Sequence, residues 1–145
     1  MTPNHSGDTV AKWLGVFCIG DMQKIIFIGL AGLIGTLFRY WLSGLVARQY
    51  GETFPWGTLV VNVMGCFLAG PLFYLMEERS MVNPTLRTVV FIGLLGGFTT
   101  FSSFGLHTFT LLREGEFALA AMNVTLSNFL GLLMLWAGYS LVKAL

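Results

Sequence analysis

Gly93-Leu94-Leu95-Gly96-Gly97-Phe98-Thr99-Thr100-Phe101-Ser102-Ser103-Phe104-Gly105 is the stretch on which the fold turns. It sits inside an apolar segment, Thr88 to Leu112, long enough to cross a bilayer, which takes about 20 residues. Paired glycines followed by a run of hydroxyl side chains weaken a continuous helix, so the pattern predicts a spanning helix broken at its middle. In hydrocarbon, irregular backbone survives only where protein buries it or where it lines a cavity. The break therefore releases peptide carbonyls toward something other than lipid.

Three further apolar segments flank this one: Ile25 to Ala47, Gly57 to Met76 and Phe117 to Val142. With 145 residues, 55% hydrophobic and only 10% charged, against roughly 25% charged in an average soluble domain, the chain reads as an all-α, four-helix integral membrane protein. No length remains for a soluble catalytic domain. The net charge of +1, with Lys and Arg scattered through the connections, excludes a nucleic-acid partner, which needs clustered cations. Residues 1–21 form an N-terminal extension, polar to Lys12 and then briefly apolar. That apolar run is too short to span. Met22-Gln23-Lys24 resembles a natural start, so an over-long N-terminus is expected ahead of a channel domain at 22–145. Cys18 and Cys66 form no CxxC pair, and Cys66 is expected to be a buried free thiol.

Lys12, Lys24, Arg79, Arg87 and Lys143 fall on one side of the four spans, Arg48 and Arg113 on the other, with Arg39 inside the first span toward the second side. Cationic loops stay cytoplasmic. The small bias favours a cytoplasmic N-terminus, while so even a balance also permits insertion in both orientations.

None of the seven acidic residues lies within a span, and proton relays and cation pathways usually use intramembrane carboxylates. His107 stands alone in the third span and is expected to be a satisfied packing residue, because function needs a partner constellation. What the spans contain instead is neutral donors. A buried amide must satisfy two donors and an acceptor, so Asn62 and Asn123 at mid-depth point to a wet path. Phe101 and Phe104, three apart, share a helical face. Their rings have positive edges, which attract an anion without holding it, as conduction requires.

The motifs Gly35-Thr36-Leu37-Phe38-Arg39-Tyr40, Trp56-Gly57-Thr58-Leu59-Val60-Val61-Asn62-Val63-Met64-Gly65-Cys66-Phe67 and Gly97-Phe98-Thr99-Thr100-Phe101-Ser102-Ser103-Phe104 together resemble the CrcB/Fluc family of fluoride ion channels. The resemblance covers Met22 to Leu145. It implies passive, fluoride-selective export across the bacterial inner membrane, by an antiparallel, dual-topology homodimer embedded in lipid with a structural sodium ion (Na+) at its centre. By matching positions, it implies that Phe101 and Phe104 are the pore phenylalanines and that Asn62 points into the fluoride pathway. Asn123 and Ser127 would continue the polar track, and Arg39 would stand near the entrance. Gly96 and Thr99 would offer backbone carbonyls to the sodium. The chain departs from the pattern at Ser103, where many members have Thr, and near Asn123, where several have Tyr. Two other classes compete: a small proton-coupled multidrug transporter, which needs the intramembrane carboxylate missing here, and a membrane assembly subunit with no transport of its own.

Overall fold

The structure, a computed structural model, describes residues 19–79 and 82–145. The predicted extension therefore lies outside the described residues up to position 18, and Cys18 with it. Helix α1 (Ile19–Tyr50) begins inside that predicted extension, ahead of the expected first span. Helix α2 (Trp56–Phe73) continues into a π-helical turn at Tyr74–Glu78. The third span is assembled from pieces: α3 (Pro84–Thr88), a π-helical stretch at Val89–Leu95, the short α4 (Gly96–Phe98), and α5 (Phe101–Arg113). Helix α6 (Phe117–Lys143) is the fourth. Among the described residues, four helical spans are long and apolar enough to cross a membrane: Met22–Tyr50, Trp56–Met76, Pro84–Arg113 and Phe117–Lys143.

Phe38, Trp41, Phe109, Leu132 and Trp136 are each more than half exposed. Water would not tolerate so continuous an apolar surface, whereas acyl chains are its matching solvent. With lipid outside, the hydrophobic effect cannot press helix on helix, and close packing through small residues has to do so. Two glycine seams meet that need. In one, Gly35 lies against the Leu94 carbonyl and the Phe98 nitrogen, and Gly97 against the Gly32 carbonyl, joining α1 to the third span. In the other, Gly70 and Gly138 bring α2 onto α6. Gly29, at the same spacing in sequence, faces open space.

Pro71 strengthens the second seam in an unexpected way. Having no N–H, it leaves the Phe67 carbonyl without its helical donor, and that carbonyl lies against Gly138. The local distortion is carried into the following π turn, where the Arg79 N–H donates to Tyr74 O at 3.1 Å. At that end of the bundle the Tyr139 hydroxyl donates to the Glu78 carboxylate (2.9 Å to Oε1), tying α6 to the end of α2. Tyr74 and Tyr139 meet edge to face at 5.6 Å.

At the opposite end both connections are tight. Gly51 closes α1 at φ 79°, its N–H donating to Ala47 O at 2.9 Å. Gly115, at φ 80°, closes α5 in a Schellman motif, with the Gly115 N–H on Leu112 O at 3.2 Å and the Glu116 N–H on Leu111 O at 2.9 Å. Buried Phe54 packs on Trp56, ring centroids 4.7 Å apart, and Trp56 on Tyr50 at 6.2 Å. This aromatic collar fixes the entry to α2.

Candidate functional site

The third span opens at Thr99 and Thr100, where the backbone leaves the helix for extended conformations (φ −85°, ψ 159° and φ −151°, ψ 116°). Gly96 and Gly97, the glycines of the expected weak stretch, remain helical, and Gly97 serves the α1 seam. The break thus falls two residues later, on β-branched threonines that are stiff in a helix. The reason it is stable lies on α2. The Asn62 side chain pairs with both backbone polar groups of Thr100: its Nδ2 donates to the Thr100 carbonyl at 3.0 Å and its Oδ1 accepts from the Thr100 N–H at 2.8 Å. The Thr100 hydroxyl then caps α5, accepting from the Ser103 N–H at 3.2 Å.

These bonds have a consequence for the carbonyls. In an unbroken helix the Thr100 N–H would donate to Gly96 O and the Ser103 N–H to Thr99 O. Here Asn62 takes the first donor and the Thr100 hydroxyl the second. The two carbonyls that the resemblance assigns to sodium are therefore both deprived of their helical donors, as are those of Gly97 and Phe98, whose donors lie in the first turn of α5. Such oxygens are hard ligands of the kind a small cation takes, and Gly96 is exposed. The residues present fit the ion.

Asn62 is half-buried and retains one N–H beyond its two bonds to Thr100. Phe101 and Phe104 pack with centroids 5.4 Å apart at a 45° tilt. Phe104 is half-buried, while Phe101 is 83% exposed, projecting from the surface of a single chain. Asn123 is 1% exposed and donates to the Thr108 hydroxyl at 2.8 Å, and that hydroxyl donates to Phe104 O at 2.8 Å. Asn123 thus holds α6 to the turn carrying Phe104. Ser127 is half-buried one turn further on and makes no hydrogen bond among the described residues. Cys66 is half-buried and free.

Arg39 lies elsewhere in depth. It lines an open-sided cavity of about 860 Å³ between α1, α2, α5 and α6, together with Thr36, Thr58, Ser103 and His107. Asn62, Phe101, Phe104, Asn123 and Ser127 are not part of that wall. The structure therefore gathers the break residues in one place and Arg39 in another, with Ser103 on the short stretch of α5 that joins them. Sequence reasoning missed Thr58, which is buried and stands 3.1 Å from His107 Nδ1. The signal was available only in part: His107 follows Ser103 by four residues and Phe104 by three, and so shares their helical face.

Fold and site together define a multi-pass membrane protein whose third span interrupts its hydrogen bonding at mid-depth and holds the interruption with an amide from the second. Comparison with known proteins gives the family. The family described as CrcB-like protein, Camphor Resistance (CrcB), matches residues 26–139. A protein of Opitutus terrae named fluoride-specific ion channel FluC is 51% identical over 120 residues, 81% of this chain and 91% of that relative. Its namesake in Nitrosococcus oceani is 46% identical over 119 residues, 82% of this chain and 95% of the relative. Another from a Geobacter species is 43% identical over 124 residues, 86% of this chain and all of the relative. The chain belongs to the CrcB family.

Proposed function

We propose that this protein is a fluoride-specific ion channel, passing fluoride passively and acting on no chemical bond, in the inner membrane of a bacterium. The observation that carries the proposal is the held-open break of the third span, where uncharged amide, hydroxyl and ring groups converge at mid-depth. The relatives' name supports the ion.

A full charge at mid-depth would trap a halide; amide N–H groups and ring edges attract it more weakly, so it can also leave. Phe101 and Phe104 would present such edges, and the spare N–H of Asn62 a donor. No Asp or Glu lies between the ends of the four spans to repel the anion or serve a proton relay. Asn123 and Ser127 continue the polar side of the route, and Arg39 draws anions into the outer cavity by its charge.

A single chain leaves Phe101 uncovered. A homodimer would cover it, and four spans enclose too little interior for a pore of their own. We place the two copies antiparallel, as the near-even cation balance allows. The carbonyls of Gly96 and Thr99 would hold a sodium ion at the centre of that dimer, where its charge would balance the carbonyl ends of two broken helices.

Purified protein in liposomes, read by fluoride and chloride electrodes, tests the proposal. Fluoride efflux that is passive, far faster than chloride and independent of a proton gradient is expected. Equal rates for the two halides, or fluoride movement only against proton movement, would overturn it.

A further inference from the structure

We propose, building on the channel reading above, that His107 is a pathway residue whose protonation raises the entry of fluoride, so that conduction increases as the medium becomes acidic. The inference starts from the cavity, not from the break. Its inner wall carries Ser103 and His107, and its outer wall the connections after α1 and α5. His107 is three residues beyond Phe104, about 4.5 Å along the helix axis. It therefore stands between the open cavity and the aromatic pair.

The imidazole is held in place. Nδ1 lies 3.1 Å from the Thr58 hydroxyl, and Thr58 is itself buried in the face of α2. A neutral ring engages Thr58 through Nδ1 in either tautomer. Once protonated, both ring nitrogens are donors: Nδ1–H donates to the Thr58 oxygen, and Nε2–H, which has no partner among the described residues, is left for an anion in the cavity. One proton thus adds a charge and a donor without requiring the ring to turn.

The charged and titratable neighbours decide whether that charge would be felt. From α1 come Arg39 and Tyr40, from the connection to α2 comes Glu52, from the end of α5 Glu114, and from the connection to α6 Glu116. Helices α2 and α6 contribute no titratable group to this wall. Arg39 makes no ion pair among the described residues, so its charge is not cancelled by a bound carboxylate. The nearest carboxylate along α5, Glu114, is seven residues away, about 10 Å of helix, which is about one screening length in physiological salt. The carboxylates therefore ring the mouth, while Arg39 and a protonated His107 would form a cationic throat inside it. A cleft of one charge sign with low-dielectric walls raises counter-ion concentration and entry rate by about tenfold or more, and the three carboxylates on the same cavity oppose that pull, so the expected gain is the low end, about tenfold. Imidazole is the side chain whose ordinary titration falls between about pH 5 and pH 8, which sets the range over which the test is run.

The test uses the full chain in liposomes with equal pH on both faces. Flux through protein-free vesicles is subtracted at each pH, because fluoride crosses lipid as the neutral acid. From about pH 8 to about pH 6, wild-type flux should rise about tenfold. His107→Gln, which keeps a hydrogen bond to Thr58 but cannot take a charge, should conduct fluoride with a flat profile. A flat wild-type profile, or an equally steep one in H107Q, would overturn the role of His107 and leave the channel intact. Absence of fluoride flux from both proteins at every pH would instead overturn the channel reading, and this inference with it. A second measurement needs no variant. Linkage is reciprocal: if the proton favours fluoride, fluoride must favour the proton. The imidazole resonances of wild-type protein labelled at histidine should titrate at higher pH as fluoride is added. A midpoint indifferent to fluoride refutes the proposal even if H107Q fails to fold.

Discussion

Replacing Asn62 by Ala removes both bonds that hold Thr100 out of the helix, the 3.0 Å donor to its carbonyl and the 2.8 Å acceptor for its N–H. Leaving a buried polar group unsatisfied costs about 1–3 kcal/mol, so two of them set an upper bound near 6 kcal/mol. The chain has a way to recover part of this. The Thr100 N–H can return to the Gly96 carbonyl by rewinding one turn, which leaves the Thr100 carbonyl as the principal loss. Side-chain hydrogen bonds inside membranes average about 0.6 kcal/mol each, so the two bonds set a floor of about 1 kcal/mol. The expected destabilisation of N62A is therefore about 2 kcal/mol, roughly a thirtyfold change in the unfolding equilibrium. Reversible unfolding in mixed micelles measures it, and amide hydrogen exchange at Thr100 reports the break directly. Exchange at that single N–H should quicken, or fall silent if it rewinds onto Gly96, and fluoride flux should drop in either case. A destabilisation below about 0.5 kcal/mol with unchanged exchange at Thr100 would refute the idea that Asn62 holds the break.

The glycine seams offer a matched pair. A β-carbon at Gly70 would stand 2.5 Å from the Tyr139 nitrogen, so Gly70→Ala should cost about 1–3 kcal/mol by overpacking; Gly44, with nothing within 4 Å, should tolerate Ala or gain up to about 1 kcal/mol from helix propensity, both read by the same unfolding assay. Phe101→Ile should reduce fluoride flux at least tenfold while hardly changing the unfolding of the chain, because the ring is 83% exposed in it and the loss is of a ring edge rather than of packing; unchanged flux would remove Phe101 from the pathway. Replacing sodium by a large organic cation on both sides of the liposome should lower fluoride flux and restore it on return, since carbonyls such as those of Gly96 and Thr99 accept only a small, hard ion; indifference to the exchange would remove the ion from the proposal.

Spans were readable because length and apolar character alone define them, and all four are found where the hydropathy of the chain puts them, with ends shifted by a few residues. The broken third span was readable as a stretch of paired glycines and hydroxyl residues, and the structure places the opening in its hydroxyl part. Glycine announces weakness, yet Gly96 and Gly97 stay helical, and Gly97 is needed where α1 approaches at Gly32. The true opening at Thr99 and Thr100 depends on an amide 38 positions away, a pairing no local pattern encodes. Asn62 was singled out as a group needing partners, and its partners proved to be peptide groups. Asn123 was read as part of a wet path; its bond to the Thr108 hydroxyl, which ties it to the turn carrying Phe104, was not legible in the sequence. The cavity holding Arg39 and His107 was illegible, since its walls come from four helices and two connections.

The aromatic collar of Tyr50, Phe54 and Trp56 has a mechanical consequence. A loop of five residues between two long helices could flap like a lid, but here buried Phe54 nails it to the bundle and Trp56 braces it from the side. The rim beside the cavity is thus held on two sides rather than hinged. Under the proposed function, an ion would enter a vestibule of fixed width and give up its hydration only further in, where the helix parts.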